Sequence, residues 1–202
     1  RNAALKAKAS APTIRSWNAE FVELGADLDR SRRRALEVML DGLMAFGERL
    51  LSTELHFDYQ QGWSRDKELA QALDDGLQRD LLLGATQHGP HRADLKISYD
   101  ERQARKLVSR GQQKLLASAM ILAATETAQT ALGRPLLLLL DDPAAELDGA
   151  SLSRLMEAVA GLGCQVVATS LASDSILVPT GAAVFHVEQG AVTPIQGAAD
   201  TL

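Results

Sequence analysis

The sequence predicts an α/β protein with parallel strands, preceded by a largely helical stretch. Three observations carry that prediction. A run of five leucines, Leu136 to Leu140, ends in Asp141-Asp142-Pro143. An apolar helix-length segment, Leu115 to Ala131, precedes it, with Gly133 and Pro135 as stop signals between the two. After a further helical stretch comes a second apolar strand, Gln165-Val-Val-Ala-Thr169-Ser170. Helix, strand, acids, helix, strand is the order in which a helical crossover places consecutive strands parallel.

Each element has its own signal. Up to about Glu54 the chain reads as helix, with Pro12 suited to a first turn, where its missing N–H costs little. Trp17, Phe21, Leu24 and Leu28 recur at helical spacing and make one apolar stripe. Leu36, Leu40, Leu43, Met44, Phe46, Leu50 and Leu51 make a second, beyond the basic run Arg30-Ser31-Arg32-Arg33-Arg34. Two or three helices packed on each other would bury both. Leu55-His-Phe-Asp-Tyr59 alternates as a strand does, and Gln61-Gly62 closes it as a turn. Asp66 to Leu83 is predicted helical, its leucines 69, 73, 77 and 81 spaced by four. The leucine run is apolar on both faces, which predicts a central strand of a covered sheet. A helix over Ser151 to Val159 and a hairpin, Ala183 to Val187 and Ala191 to Thr193 around Gln189-Gly190, complete the reading.

Composition narrows the class. Of 202 residues, 46% are hydrophobic and 23% charged, which excludes intrinsic disorder and collagen-like repeats. A single cysteine, Cys164, excludes an intrachain disulfide and predicts a reducing cytosol. No charge-free apolar run approaches 18 residues, so no membrane span is expected, and no signal peptide opens the chain. The chain starts at Arg1 rather than methionine, which reads as a piece of something longer. The net charge of −5 argues against indiscriminate nucleic-acid binding by the whole surface. That charge is uneven: residues 1–110 hold 18 Lys and Arg against 17 Asp and Glu, and residues 111–202 hold 3 against 9. The Arg30–Arg34 run reads either as a solvated helix face or as a stripe that contacts phosphates.

Two features carry chemistry, and one that looks as if it does is rejected. Gly84-Ala-Thr-Gln-His-Gly89 has the spacing of a phosphate loop, but Pro90-His91 stands where Lys and Ser/Thr are required. Proline would also remove one of the cradling amides, and no other stretch offers such a loop. Asp141 and Asp142 lie beyond the carboxyl end of an apolar strand, where ligands of parallel sheets bind. One carboxylate there suits Mg²⁺ held through water, and the other orients or deprotonates a nucleophilic water. Upstream, Ser109 is a good N-cap for the apolar helix, and Arg110 and Lys114 add charge to its positive end. That start reads as an anion receptor, in keeping with a phosphate.

Together these residues resemble the C-terminal half of an ABC-type ATPase head. Val108-Ser-Arg-Gly-Gln-Gln-Lys114, preceded by Gly89-Pro-His-Arg-Ala-Asp-Leu95 and followed by Asp141-Asp-Pro-Ala-Ala-Glu-Leu-Asp148, resembles the bacterial RecF family of DNA-repair ATPases over nearly the whole chain. The resemblance implies a mostly parallel sheet with flanking helices in residues 84–202 and a helical arm-like lobe in residues 1–83. It implies that Ser109, Arg110, Gly111 and Gln112 cap the γ-phosphate of ATP held by the opposite subunit. Asp141 would serve Mg²⁺, Asp142 would polarise the attacking water, and Asp148 would lie in a loop crossing the dimer interface. Thr169 or Ser170 would occupy the γ-phosphate switch position. His91 and Arg92 belong to the family box without an assigned chemical role. The family works in DNA replication, repair, recombination and the SOS response, as an ATP-dependent dimer on double-stranded DNA that helps RecO and RecR load RecA at single-strand gaps. A cytoplasmic, nucleoid-associated protein is expected, with Arg30, Arg32, Arg33 and Arg34 as candidate DNA contacts. The family's ATP-holding loop has no counterpart in these 202 residues, so the chain alone is expected to be inactive. The alternatives are the head of an SMC-like chromosome protein or of a transporter, or a non-catalytic binding module that keeps the fold.

Overall fold

The computed structural model describes residues 1–99, 102–103, 109–171 and 182–195; Val108 of the signature stretch lies outside them. Three helices open the chain: α1 (Asn2–Lys6), α2 (Ala11–Arg15) and α3 (Asn18–Leu51). Ser10 caps α2 by accepting the N–H of Thr13, and Pro12 sits in the first turn. Helix α3 is one continuous element of 34 residues, not several helices packed together. With neither glycine nor proline from Ala26 to Asp41, nothing breaks it. A straight helix cannot fold its own stripes onto each other, so Trp17, Leu24 and Leu28 stay exposed, as do Leu40 and Met44, while Leu43, Phe46 and Leu50 are buried.

Strand β1 (His56–Gln60) pairs antiparallel with β2 (Asp94–Tyr99), Phe57 opposite Ile97 and Tyr59 opposite Leu95, and β3 (Arg102–Gln103) extends this sheet. The sheet therefore joins residues on both sides of the expected boundary at 83/84. The stretch predicted as one helix is two, α4 (Leu69–Asp75) and α5 (Leu77–Leu83), meeting at Gly76. The His88 ring lies 2.7 Å from where a Cβ at Gly76 would stand, so the junction is where the following loop comes in. In that loop three backbone amides are already committed within the fold. The amide of Thr86 is taken by Asn2 Oδ1, that of Gln87 by Asp80 Oδ1 and that of Gly89 by the Gly62 carbonyl.

Helix α6 (Arg110–Leu132) packs along α3, and the left-handed Gly133 ends it. Then come β4 (Leu137–Leu140), α7 (Gly149–Gly161) and β5 (Gln165–Ala168). Strands β4 and β5 are parallel, Leu137 opposite Gln165 through Leu140 opposite Ala168. Leu43, Phe46 and Leu50 of α3, Leu115 and Leu122 of α6, Leu138 of β4 and Leu155 of α7 form one core. Among the described residues, α6 is the helix long and apolar enough to cross a membrane by length and composition; its Leu115, Ala119, Leu122 and Ala123 serve this core, while Ile121 and Leu132 are exposed. The expected burial of both faces of the leucine strand is not found. Leu138 is buried, but Leu137 is 55% and Leu139 68% exposed, because the described residues lay helices on one face only. A hairpin, β6 (Phe185–Glu188) and β7 (Ala191–Pro194), turns at Gln189-Gly190, both with positive φ, as a tight hairpin requires.

One buried ion pair anchors the N-terminal lobe. Arg1 Nη1 lies 2.7 Å from Asp80 Oδ2, with both side chains almost fully buried, and donates to Thr86 Oγ1 at 2.7 Å as well. Its Nε donates to Asn18 Oδ1, and Nη2 has no hydrogen-bond partner. Removing the carboxylate leaves a buried cation uncompensated. Asp80→Ala is expected to cost about 3–5 kcal/mol in urea unfolding, and an unchanged denaturation midpoint would refute this role.

Candidate functional site

The acids stand where the parallel strands end. Thr169, just past β5, donates its hydroxyl to Asp141 Oδ1 at 2.6 Å and accepts the N–H of Asp142 at 3.1 Å, while its own N–H reaches the Leu140 carbonyl. One hydroxyl thus fixes both acids to the neighbouring strand. Asp142 turns the chain with φ +42, in the left-handed region that a non-glycine residue adopts at a cost, and buried Pro143 follows. Asp141 is exposed and Asp142 half-buried. The donors are all oxygen, as a hard cation such as Mg²⁺ prefers. Among the described residues no group of three or more His, Cys, Asp or Glu stands ready to hold an ion.

The signature residues gather at the N-terminus of α6. Ser109 Oγ accepts the N–H of Gln112, and Gln112 Oε1 accepts the N–H of Ser109, closing a reciprocal cap. This pairing was readable in the Ser-x-x-Gln spacing and absent from the sequence reading. Gly111 has a specific reason to be glycine: a Cβ there would lie 2.8 Å from the Glu146 carbonyl oxygen. Arg110 is exposed, with Glu146 Oε1 at 3.7 Å from its guanidinium. Lys114 departs from expectation. Its ammonium is not presented to an anion but donates to the carbonyls of Asp142 and Ala145, at 2.7 and 2.9 Å.

Asp148 is the N-cap of α7, accepting from both the N–H and the hydroxyl of Ser151. The amide of Ser151 first, then its hydroxyl, hold this carboxyl below its ordinary value. A cavity of about 330 Å³ lies between the starts of α6 and α7, lined by Ser109, Arg110, Gly111, Gln112, Glu146 and Asp148 among others. Two positive helix ends therefore face one space. Asp141, Asp142 and Thr169 do not line it. Ser170 is exposed beside Thr169.

The arginine run divides. Arg32 donates to the Pro90 carbonyl at 2.6 Å. Arg33 pairs with Asp29, donates to Gln61 Oε1 and lies over the Tyr59 ring, 5.3 Å from its centre. Arg30 is exposed beside Asp27, and Arg34 is exposed. The family box has structural work: His91 Nε2 is 2.9 Å from the Thr86 carbonyl, and its ring meets Phe21 edge-on. Arg92 is exposed.

No family model matches the sequence. The DNA replication and repair protein RecF of Thioalkalivibrio sulfidiphilus is 36% identical over 193 residues, which are 94% of this chain and 54% of that protein. The RecF of Edwardsiella ictaluri is 35% identical over 195 residues, 95% and 54% of the two chains. Over nearly its whole length the chain is similar to RecF proteins. It spans about half the length of these RecF relatives and corresponds to their C-terminal part. A solved structure of the recombination mediator protein RecF with ATP, in the RecFOR pathway, matches with a TM-score of 0.77 and 25% identity over 96% of this chain and 54% of that one. A RecF-ATPrS structure matches with the same TM-score at 23% identity. The α/β fold of an ABC-type ATPase head expected for a RecF relative is thereby established.

The close approach at Gly111 yields a sharp comparison. Gly111→Ala pushes a methyl against backbone and is expected to cost about 1–3 kcal/mol in chemical unfolding. Gly149→Ala, with nothing within 4 Å of the new methyl, should change stability by less than about 0.5 kcal/mol. Equal effects would contradict the packing described.

Proposed function

We propose that this chain supplies the signature loop and the catalytic acids of a RecF-type ATPase that works as an ATP-dependent dimer on double-stranded DNA. The separation of the Ser109–Gln112 cavity from Asp141 and Asp142 within one chain carries the reading. A signature loop that serves its own acids would share their site; one that serves the opposite subunit would not. The two helix starts at the cavity, with Arg110 beside them, offer N–H groups and positive charge to a terminal phosphate. Asp142 would take the proton of the attacking water, and Asp141, whose carboxylate accepts the Thr169 hydroxyl, would serve Mg²⁺. ATP with Mg²⁺ supplies the phosphoryl group that passes to water. The other roles follow the family: Asp148 crosses the dimer interface, Thr169 or Ser170 senses the γ-phosphate, and the dimer acts with RecO and RecR to load RecA at gap junctions. Residues 1–83 serve as the arm lobe beside the head of residues 84–202, in a cytoplasmic, nucleoid-associated protein.

The test joins this chain behind the nucleotide-holding N-terminal part of the Thioalkalivibrio relative. The fused protein is expected to hydrolyse ATP slowly and to dimerise with it. Asp142→Asn should lower kcat by about 10²–10⁴-fold. The 202-residue chain by itself should show no turnover. Turnover by that chain alone, abolished by Asp142→Ala, would overturn the reading.

The arm makes a separate prediction. Arg32 and Arg33 are engaged within the fold, so DNA contact from this run falls to Arg30 and Arg34. In the fused protein, replacing both with serine should reduce the slope of log affinity against log salt by about 0.9 per lost phosphate contact. An unchanged slope returns the run to a solvated helix face.

A further inference from the structure

We propose that Lys114 is a positioning residue, which clamps the turn after the acids to the signature helix so that the two move as one body. The proposal deepens the function given above and rests on it. Lys114 lies one helical turn past Gly111, on the flank of α6 that meets residues 142–146. Two of its three N–H donors are committed, to the carbonyl of Asp142 at 2.7 Å and to that of Ala145 at 2.9 Å. These two carbonyls belong to a turn with two non-glycine residues in the left-handed region, Asp142 at φ +42 and Glu146 at φ +65. Its internal hydrogen bonds, Ala145 N–H to Asp142 and Leu147 N–H to Ala144, are both 3.2 Å long. Non-glycine residues keep such conformations only where their surroundings impose them. Here the surroundings are Thr169 at one end, the Gly111 approach at the other, and Lys114 between.

The clamp links two sites that the cavity keeps apart. A load on Ser109–Gln112, where the proposed partner phosphate sits, moves the first turn of α6. Lys114, in the next turn of the same helix, pulls on the peptide of Asp142, whose side chain is the proposed proton acceptor. An ammonium suits this task because it donates to several carbonyls at once from a compact head. A methionine of similar length packs the same stem and donates nothing. Arginine keeps paired donors.

Hydrogen–deuterium exchange of the 202-residue chain tests the clamp without nucleotide. Lys114→Met is expected to speed exchange of the Ala145 and Leu147 amides about tenfold, while residues 43–50 and 152–160 exchange as before. Lys114→Arg should restore protection. Unchanged exchange in 142–148, a rise shared equally by the core segments, or no recovery with arginine would each overturn the proposal. In the fused ATPase, Lys114→Met should lower kcat at least tenfold with KM for ATP unchanged, and an unaltered kcat would also overturn it. If the fused protein fails to hydrolyse ATP with Lys114 in place, the ATPase reading fails, and the exchange experiment alone still decides the clamp.

Discussion

Helix α6 has to satisfy two partners along its length, and most of the structure follows from that. Its middle is apolar, and Leu115, Ala119, Leu122 and Ala123 are buried against α3 and α7. Its first turn is polar and is tied through Lys114 and Gly111 to the turn that carries the acids. Its end hands the chain to β4, where Gln129 holds the connection by accepting the Leu136 N–H and donating to the Leu162 carbonyl. The small residues Ala119 and Ala123 let α3 approach closely, and the leucines fill the space beside it. Shifting α6 along its axis would therefore disturb the core, the acid turn and the start of β4 together. That makes it a sound element on which to mount a loop that has to be placed accurately.

Around α1, α2 and α5 a different force organises the fold. The apolar cluster they share is small, built on Leu5, Ile14 and Leu77, and much of the definition there is polar. Arg1, Asp80, Thr86 and Asn2 fasten α1 to α5 and the loop after it. Arg32 and Arg33 fasten α3 to Pro90, Gln61 and Tyr59. A guanidinium suits this because its planar fork serves several acceptors and a ring face at once. The same arginines that look like a DNA-binding stripe in the sequence are thus partly spent on holding the helix that displays them. Charge alone does not separate the two uses, since each needs an arginine on a helix; the position of the acceptors separates them, and acceptors distant in sequence are not visible in a local run.

The head was largely legible in the sequence because its signals are local. Ser109 as N-cap, Gly133 as stop, the parallel order of β4 and β5 and the Gln189-Gly190 turn all follow from neighbouring residues and appear as read. Residues 1–99 were less legible. Helical spacing marks Trp17, Leu24 and Leu28 as a stripe, but periodicity does not say whether another element arrives to cover it, and none of the described residues does so fully. Strand β2 alternates in the required way over Asp94-Leu-Lys-Ile-Ser-Tyr99, but the strand that pairs with it, β1, lies far away in the sequence. At the site, residue types were legible and pairings were not. Lys114 reads as a charge for an anion, and only the fold shows that two carbonyls 28 and 31 positions away take it up.

The same limit explains why Thr169 matters more than its sequence suggests. A threonine at the end of an apolar strand is unremarkable, since β-branched residues favour strands. Parallel pairing places it beside the strand that ends in the acids, with its N–H on the Leu140 carbonyl. From there one hydroxyl donates a hydrogen bond to Asp141 and accepts one from the N–H of Asp142, so its donor and an acceptor are both used. Serine would keep the hydroxyl but lose the χ1 restriction that aims it. Valine would keep the shape and leave the Asp142 amide without this partner. The strand pairing thus does chemical work: it sets the register of β4 against β5, and that register orients the Asp141 carboxylate and ties down the backbone of Asp142.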